Sequence, residues 1–435
     1  MNRKPLRFPG LLSLPCLVLA AKLSDPTLTA VRDWLTPLLL ALSLAMALVL
    51  FRYCTRFRPL FVLAWLAAAG LAGQTLYASW SVRNAVLQAA QHNPARLAAL
   101  GQHLIIGYAT PDDVRELVRH GLIGGLFVTR RNVAGKTAAQ LREELAGLQA
   151  IRRDAGLPPL MIATDQEGGS VSRMSPIVPY QPPLSSLAGR PDAERLAAKY
   201  GRMQAEHLVR LGINVNFSPV VDLKPNHPPS PLDRYTRIAD RAIDSDPDTV
   251  SRIALAYSQA LVEAGVTPTL KHFPGLGNVR DDTHLRSAHL STPAEQLAAR
   301  DWLPFRHVLE RTPAMLMVGH ATLDAIDPSR PASLSRPILN GLLRKRWQYD
   351  GILIGDDMTM AAVYNRGLCR ASLEALEAGQ DLLLVAYDWT KYYVVMDCLR
   401  RADTAGRLPD LSESRRRLQN PPWRRSVASP AESRT

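Results

Sequence analysis

Eight short apolar runs recur between residues 103 and 386, and they constrain the fold more than any other feature. Helix-like segments such as 193–211 and 247–264 lie between them. Strands that are apolar along their whole length are typical of parallel sheets buried on both faces. Eight such strands within roughly 300 residues predict an α/β fold, a (β/α)8 TIM-type barrel, with an open doubly wound sheet as the alternative. The runs are HLIIGY (103–108), GLFVTR (125–130), LMIATD (160–165), INVNFSP (213–219), TPTLKHF (267–273), AMLMVGH (314–320), GILIGDD (351–357) and DLLLVA (381–386).

The first 83 residues differ from the rest in composition. The stretches 34–51 and 60–80 are apolar and uncharged, and each is long enough for a bilayer core, which takes about 20 residues at helical rise. A buried helical hairpin is the alternative. The stretch 11–21 contains Pro15 and fits a signal-like region, an interfacial segment or a short first span. We therefore predict that residues 1–83 form a transmembrane helical region that precedes the barrel and contacts the lipid bilayer.

The segment 52–58 between the two long stretches predicts the orientation of this anchor. It holds three arginines and no acidic residue, and short basic loops stay in the cytoplasm. The domain predicted at 84–420 would then lie on the periplasmic side of the inner (cytoplasmic) membrane. Residues 421–435 begin with two prolines and are rich in serine and arginine, which predicts a disordered tail.

Charge and cysteine content exclude several classes of protein. Lys and Arg outnumber Asp and Glu by 52 to 39, a net charge of +13. Basic runs interleaved with aromatic residues are absent from the sequence, so a nucleic-acid module is not predicted. The four cysteines Cys16, Cys54, Cys369 and Cys398 form no CxxC pair, which argues against a zinc site. They also predict no disulfide framework, and a lipid attached to Cys16 is disfavoured by the preceding proline.

Polar residues follow several of the predicted strands directly. In a β/α barrel the active site lies at the C-terminal ends of the strands. A single aspartate at such a position is more often a helix cap, but several polar residues that converge on one face indicate a functional site. They are Asp165 after the third strand, Lys271 and His272 at the end of the fifth, His320 after the sixth, and Asp356 with Asp357 after the seventh.

The loop after the fifth strand carries the most informative spacing. Asp282 and His284 lie two residues apart on a segment that also contains Gly275 and Gly277. Proline and glycine are common in surface turns, so an ordinary loop is one interpretation. The other is that the carboxylate holds the imidazole and raises its basicity, which suits a general acid/base near neutral pH.

Five segments in order resemble a known family. KHFPGLGNVRDDTH (271–284) resembles the KHFPGHG…DSH signature of glycoside hydrolase family 3 in its β-N-acetylhexosaminidase branch, and DQEGGSVSR (165–173) resembles its DQEGGxVxR motif. The resemblance covers about residues 95–420. It implies a retaining glycosidase without metal or cofactor that removes terminal β-linked N-acetylglucosamine from peptidoglycan-derived saccharides. The other similar segments are NVNFSPVVDL (214–223), PASLS (331–335) and IGDDMTM (354–360).

The same resemblance implies a role for individual residues. Asp356 would be the nucleophile that forms a covalent glycosyl-aspartate, and His284 would be the acid/base that Asp282 orients. Asp357 would be structural. The residues that would bind the hydroxyl groups of the sugar are Asp165, Arg173, Arg241, Lys271 and His272.

The sequence departs from the family pattern outside these residues. Leu276 replaces the second histidine of KHFPGHG, Ser170 replaces a common arginine, and Ala239 replaces a glycine near Arg241, where Ala242 and Ile243 also replace Ser-Phe. These changes concern the fit of the substrate more than the reaction.

Three other functions compete with this interpretation. A metal-dependent hydrolase would want paired histidines after the first strand, where the sequence has Gly107-Tyr108-Ala109. A membrane-tethered sugar-binding protein without catalysis is disfavoured because the predicted catalytic residues are all present. A phosphorylase stays open, because a neutral histidine acid/base would not repel phosphate as the acceptor.

Overall fold

All eight apolar runs form strands of one parallel barrel. The computed structural model describes residues 58–228 and 235–425, together with residues 38, 41, 45 and 233. The barrel strands are β1 (Leu104–Ile106), β2 (Gly125–Val128), β3 (Met161–Thr164), β4 (Val215–Asn216), β5 (Thr267–Phe273), β6 (Met315–Val318), β7 (Leu353–Gly355) and β8 (Leu383–Val385).

The strands pair in the order β7-β6-β5-β4-β3-β2-β1-β8. Residues 104–106 of β1 pair in parallel with residues 383–385 of β8. A parallel bridge between Ile354 and Leu382 joins β7 to the start of β8 and brings the two ends of the sheet together. The predicted barrel is confirmed, and the doubly wound sheet is wrong because neighbours in sequence are neighbours in the sheet throughout.

Helices connect the strands and surround the barrel. Two short strand pairs lie outside it: Gln166–Gly168 with Val171–Ser172, and Ala288–Leu290 with Ala321–Leu323. The described helices are Arg58–His92, Pro94–Gly101, Pro111–Arg119, Arg130–Val133, Ala138–Asp154, Ala193–Leu211, Ile238–Arg241, Pro247–Glu263, Ala294–Ala299, Leu303–Leu309, Ala361–Tyr364, Leu368–Ala378, Tyr392–Thr404, Ser412–Gln419 and Pro422–Arg425, with a π-helix at Pro337–Arg346 and 3-10 turns at Leu184–Leu187, Ala332–Leu334 and Trp389–Lys391.

Local sequence signals set the ends of the long helices. Thr137 precedes helix Ala138–Asp154 and accepts a hydrogen bond from the Gln140 N–H at 3.2 Å. Asp246 does the same for helix Pro247–Glu263, and such caps contribute about 1 kcal/mol each. Helix Ala193–Leu211 ends at Gly212, whose φ of 85° is a left-handed conformation that glycine adopts without strain.

The barrel interior is filled by alternate side chains of the strands. Phe127 of β2 and Phe217, which follows β4, stack with their ring centroids 5.4 Å apart. Met315 and Met317 of β6 belong to the same buried cluster. Burying such side chains contributes about 1.5–3 kcal/mol each, so the strand pattern that predicted the barrel also stabilises it.

The predicted transmembrane region is wrong for the part that the structure describes. The stretch 60–80 lies within the single helix Arg58–His92. Among the described residues, no helix combines the length and the apolar character needed to cross a membrane. A lipid bilayer is therefore not supported as a partner, and the stretches 11–21 and 34–51 fall outside the described residues, apart from 38, 41 and 45.

Residue contacts divide the chain into two units, Met1–Gln88 and Ala89–Thr435. The domain boundary at residue 84 stays a prediction. At the other end, the first residues of the predicted disordered tail form the helix Pro422–Arg425, and Trp423 is buried in the barrel cluster. Residues 426–435 lie outside the described part of the chain.

A disulfide joins Cys369 and Cys398, which lie on helices Leu368–Ala378 and Tyr392–Thr404 with their Cα atoms 5.4 Å apart. The sequence predicted no disulfide framework. Two cysteines 29 residues apart carry no local motif, and only the packing of the two helices against each other brings them together.

Candidate active site

The predicted site residues converge at the C-terminal ends of the strands. A cavity of about 550 Å³, open to solvent, lies there. Seven of the eight predicted residues line it, and the eighth, Asp282, lies behind His284. The seven are Asp165, Arg173, Arg241, Lys271, His272, His284 and Asp356.

Asp356 follows β7 and faces this cavity. Its backbone N–H donates to the Val318 carbonyl at 3.0 Å, and its Oδ1 accepts from the Asp357 N–H at 2.8 Å. Burial by itself would raise the pKa of Asp356, but the neighbouring histidines, His272 foremost, hold this pKa below its ordinary value. The carboxylate is therefore ionised near neutral pH.

Asp357 lies at the edge of the same cavity and links β7 to the segment after β8. Its carboxylate accepts from the Thr359 N–H at 3.0 Å and hydroxyl at 2.8 Å, and from the N–H groups of Ala386 and Tyr387 at 3.1 Å. Each carboxylate oxygen of Asp357 therefore accepts two hydrogen bonds from the protein itself. This geometry agrees with the structural role that the resemblance implied.

His320 is a buried histidine beneath the same strand ends. Its Nδ1 lies 2.7 Å from the Ser333 hydroxyl and its Nε2 lies 3.1 Å from the Asp357 carbonyl oxygen. Burial lowers the pKa of His320. A neutral ring that donates from Nε2 and accepts at Nδ1 satisfies both contacts, so His320 braces the residues that follow β7.

Asp282 and His284 form a hydrogen-bonded pair. The His284 Nδ1 lies 2.9 Å from Asp282 Oδ1, which also accepts from the His284 N–H at 2.9 Å. Thr236 donates its hydroxyl to the same oxygen, and the Tyr235 N–H donates to Oδ2, both at 2.9 Å. The side chain of His284 is 31% exposed, whereas that of Asp282 is 1% exposed. The imidazole therefore faces the cavity and its partner is fixed behind it.

Four hydrogen-bond donors lower the pKa of Asp282 by more than its burial raises it. Burial by itself would raise its pKa, but the hydrogen bonds from His284 and from the Tyr235 N–H hold the pKa well below its ordinary value. An ionised Asp282 favours a proton on the Nδ1 of His284. The Nε2 is then free to exchange a proton with a substrate.

A network of buried charges forms another wall. Lys271 Nζ lies 2.6 Å from both Asp165 Oδ1 and Glu167 Oε1. Arg241 binds Glu167 through two hydrogen bonds of 2.9 and 2.7 Å. Burial by itself would raise the pKa of Glu167, but Arg241 and Lys271 hold it well below its ordinary value. The network fixes polar groups at spacings that suit the hydroxyl groups of a sugar.

His272 is oriented by a fully buried aspartate. Asp222 Oδ2 lies 2.8 Å from His272 Nδ1, and its Oδ1 accepts from the Leu276 N–H at 2.8 Å. The Lys271–His272 peptide bond is cis. Asp222 thus fixes both the ring of His272 and the start of the loop that carries the Asp282–His284 pair. Leu276, which departs from the family pattern, is buried under this loop.

The comparison with known proteins decides the family. The profile described as the glycosyl hydrolase family 3 N-terminal domain matches residues 96–420. The chain belongs to glycosyl hydrolase family 3. It is therefore a glycosidase, and the resemblance seen in the sequence is confirmed.

Curated relatives and solved structures agree with the family. The chain is 33% identical over 295 residues to a β-hexosaminidase of Pseudomonas aeruginosa, covering 68% of this chain and 84% of that protein. It is 34% identical over 318 residues to β-hexosaminidase LpqI of Mycobacterium tuberculosis, covering 71% and 78%.

Two solved structures show the same fold. The family 3 β-N-acetylglucosaminidase of Paenibacillus sp. FPU-7 matches with a TM-score of 0.70 and 31% identity over 78% of this chain and 64% of that one. The present chain thus spans just under two thirds of that enzyme. The structure of M. tuberculosis LpqI matches with a TM-score of 0.65 and 33% identity over 74% and 91%.

Three residues of this glycosidase site were missed by the sequence analysis. Glu167 stands inside the DQEGG segment and Asp222 inside NVNFSPVVDL, so both lie in segments that the family resemblance had already singled out. Tyr387 follows β8, and its hydroxyl accepts from Arg173 Nη2 at 2.9 Å. No sequence signal pointed to Tyr387, because its partner lies 214 residues away.

Proposed function

We propose that this protein is a retaining β-N-acetylhexosaminidase that removes terminal β-linked N-acetylglucosamine. One observation carries the proposal: the ionised carboxylate of Asp356 and the Asp282–His284 pair share a single cavity. A retaining glycosidase needs a nucleophilic carboxylate and a proton donor around one glycosidic bond. The names of the Pseudomonas, Mycobacterium and Paenibacillus relatives point to the same sugar.

The first step would form a covalent intermediate. Asp356 attacks the anomeric carbon, and the bond from that carbon to the leaving oxygen breaks. His284, doubly protonated, gives its Nε2 proton to the leaving oxygen and becomes neutral, while its Nδ1–H stays in place and continues to donate to Asp282. The products of this step are the free leaving sugar and a glycosyl ester of Asp356.

The second step would reverse the proton flow. Neutral His284 takes a proton from a water molecule, and the resulting oxygen attacks the anomeric carbon of the ester. Asp356 leaves as a carboxylate and the sugar leaves with its β configuration retained. Asp282 stabilises the imidazolium that forms, because its own carboxylate stays ionised.

The buried charge network of Asp165, Glu167, Lys271 and Arg241 would form the wall that holds the terminal sugar. Asp165 can accept from sugar hydroxyl groups and Lys271 and Arg241 can donate to them, while Glu167 holds both cations in place behind the cavity. Arg173 and His272 complete the ring of donors around the cavity. We extend the proposal to saccharides derived from peptidoglycan as the source of the substrate.

The experiment that tests the reaction uses Asp356→Ala. We expect kcat on an N-acetyl-β-glucosaminide to fall by about 10³-fold or more, because covalent catalysis is removed. Asp112→Ala, which removes an exposed carboxylate, is the matched control and should match the wild type. In the wild-type reaction, proton NMR should show the β anomer of N-acetylglucosamine as the first product to form. Inversion, or near wild-type turnover of Asp356→Ala, would overturn the assignment.

Phosphate is the second candidate acceptor. The acid/base is a histidine rather than a carboxylate, and Arg241, Lys271 and Arg173 line the cavity, so a phosphate would meet cations there. Turnover compared in phosphate and in a buffer without phosphate would decide. A glycosyl phosphate product would favour the phosphorylase, and N-acetylglucosamine alone in both buffers would favour the hydrolase.

We propose that the catalytic domain works outside the cytoplasm, on the periplasmic side of the inner membrane. The Cys369–Cys398 disulfide supports this location, because disulfides persist in oxidising compartments and are rare in the cytoplasm. A phosphatase that is active only outside the cytoplasm, fused after Ala90, tests it. An inactive phosphatase, together with fluorescence from a cytoplasmic-type reporter at the same site, would contradict the location.

A further inference from the structure

The segment that follows the nucleophile also holds the loop that carries the acid/base. After β7 the chain forms the short helix Ala361–Tyr364. The Ala361 N–H donates to the His284 carbonyl at 3.2 Å, and the Ala362 N–H donates to the Thr283 carbonyl at 3.3 Å. The main chain of the acid/base is therefore fixed by the part of the chain that comes next after the nucleophile.

These two contacts complement those of Asp282. Its carboxylate is fixed by Tyr235 and Thr236 and in turn holds the ring and the N–H of His284. The carbonyl side of His284 is held by helix Ala361–Tyr364 instead. Proton transfer requires a precise placement of the donor atom, and a displacement of about 1 Å can cost about 10²-fold in rate. The helix therefore bears on the position of the His284 Nε2.

The helix is anchored on both sides. Before it, the Thr359 N–H and hydroxyl donate to the Asp357 carboxylate at 3.0 and 2.8 Å. After it, the chain turns at Gly367, whose φ of 88° is a left-handed conformation that suits glycine, and enters the next helix. The second residue of that helix is Cys369, which is joined to Cys398. The disulfide is therefore the covalent anchor of the segment 361–369.

The other half of the disulfide is fixed in the core. Cys398 belongs to helix Tyr392–Thr404 and is 4% exposed, whereas Cys369 is exposed. Lys391, directly before helix Tyr392–Thr404, lies with its Nζ 5.7 Å from the centroid of the Tyr364 ring, a cation–π contact. The segment 361–369 is thus held against the start and the middle of one buried helix.

We propose that the Cys369–Cys398 disulfide is a positioning element for the acid/base, acting through helix Ala361–Tyr364 on His284. The inference rests on the proposed function, in which His284 protonates the leaving oxygen. With the disulfide closed, the helix keeps its two N–H groups on the loop of His284. With the disulfide open, the segment gains freedom and the His284 Nε2 loses its fixed distance to the leaving oxygen. Proton transfer slows, while attack by Asp356 proceeds as before.

The test compares Cys369→Ser/Cys398→Ser with the wild type on two substrates. The leaving sugar of N,N′-diacetylchitobiose needs a proton, and the leaving group of the 2,4-dinitrophenyl glycoside needs none. We expect kcat to fall about tenfold on the disaccharide and to stay within about twofold on the dinitrophenyl glycoside, because only proton transfer is affected. A purely structural role would lower both alike, so equal losses, or no loss on either substrate, would overturn the inference.

Reduction makes the same comparison without a substitution. Tris(2-carboxyethyl)phosphine converts the disulfide to two thiols and takes up the oxygen of water. It should slow the wild type on the disaccharide, reoxidation should restore the rate, and the double serine variant should not respond. Thr137→Ala removes the cap of helix Ala138–Asp154 and should keep the wild-type ratio of the two rates. Lys391→Met should show the same dependence on the leaving group with a smaller loss.

Hydrogen exchange separates this inference from the proposed function. Opening the disulfide should speed exchange of the Ala361 and Ala362 N–H groups by about tenfold and leave helix Ala138–Asp154 unchanged. If the wild type cleaves both substrates and the disulfide does not alter the ratio of the rates, only this inference fails. If it cleaves neither, the proposed function fails, and exchange still decides: faster exchange at Ala361 and Ala362 supports the positioning role, and unchanged exchange overturns it.

Discussion

Replacing Asp282 by asparagine tests the proton transfer most directly. The two side chains have the same shape, so the change removes one negative charge and replaces one acceptor by an NH₂ donor. Oδ1 of Asp282 accepts from the His284 N–H, the His284 ring and the Thr236 hydroxyl, and Oδ2 accepts from the Tyr235 N–H. In either orientation, the asparagine NH₂ therefore faces a backbone N–H.

The magnitude follows from these contacts. The least costly orientation turns the NH₂ toward Tyr235 and loses one hydrogen bond to a charged group, about 1.5–3 kcal/mol of the free energy of unfolding. The low pKa of Asp282 adds stability that is full above its unfolded pKa of about 4 and is lost as pH falls through the lower folded pKa. The difference in unfolding free energy between wild type and Asp282→Asn should therefore shrink below about pH 4.

The catalytic effect should depend on the leaving group. Without the carboxylate, the imidazolium of His284 loses its charged partner, and general acid catalysis is worth about 10²–10⁴-fold. We expect kcat/KM of Asp282→Asn to fall by about 10²-fold on N,N′-diacetylchitobiose, whose leaving sugar needs a proton. On the 2,4-dinitrophenyl glycoside, whose leaving group needs none, we expect a loss below about tenfold.

The controls make this prediction refutable. Asp281→Asn changes the neighbouring exposed carboxylate, which lies 3.5 Å from Arg286, and should leave both substrates unaffected. His284→Ala should show the same dependence on the leaving group with a larger loss on the disaccharide. Equal losses on both substrates in Asp282→Asn would refute the reasoning, because they would indicate a structural defect rather than a lost proton transfer.

Three further predictions concern buried charges and the disulfide. Glu167→Gln should raise KM and lower the free energy of unfolding by about 3 kcal/mol, because Arg241 and Lys271 lose their shared anion; calorimetry and kinetics check both, and an unchanged KM would contradict a role in holding the sugar. Reduction of the disulfide, or Cys398→Ser, should cost roughly 3–4 kcal/mol for a loop of 29 residues, and an unchanged melting temperature would contradict this. Burial raises the pKa of Asp301 to about 6, so the folded state binds this proton more tightly than the unfolded state and stability falls as pH rises from about 4 to about 6; Asp301→Asn should therefore raise the melting temperature at pH 8 and not at pH 4, and equal shifts at both would refute it.

The sequence by itself determined the barrel and most of the residues around the cavity. Strands buried on both faces must be apolar along their length, so β1 to β8 were visible as eight runs. Residues directly after such strands must meet at one end of a parallel barrel, which is why Asp165, Lys271, His272 and Asp356 could be placed together. Hydropathy was a poorer guide to the 60–80 stretch: this stretch lies in helix Arg58–His92, and none of the described helices is long and apolar enough to cross a membrane.

Tertiary structure alone decided the partners of these residues. Glu167 meets Arg241 across 74 residues of chain, Asp222 meets His272 across 50, and Cys369 meets Cys398 across 29. Hydrogen bonds and ion pairs form over about 3 Å, and nothing local in a sequence states which distant side chain will come that close. The register of the barrel strands and the packing of the helices set those distances, so the buried charge network, the orientation of His272 and the disulfide follow only from the folded chain.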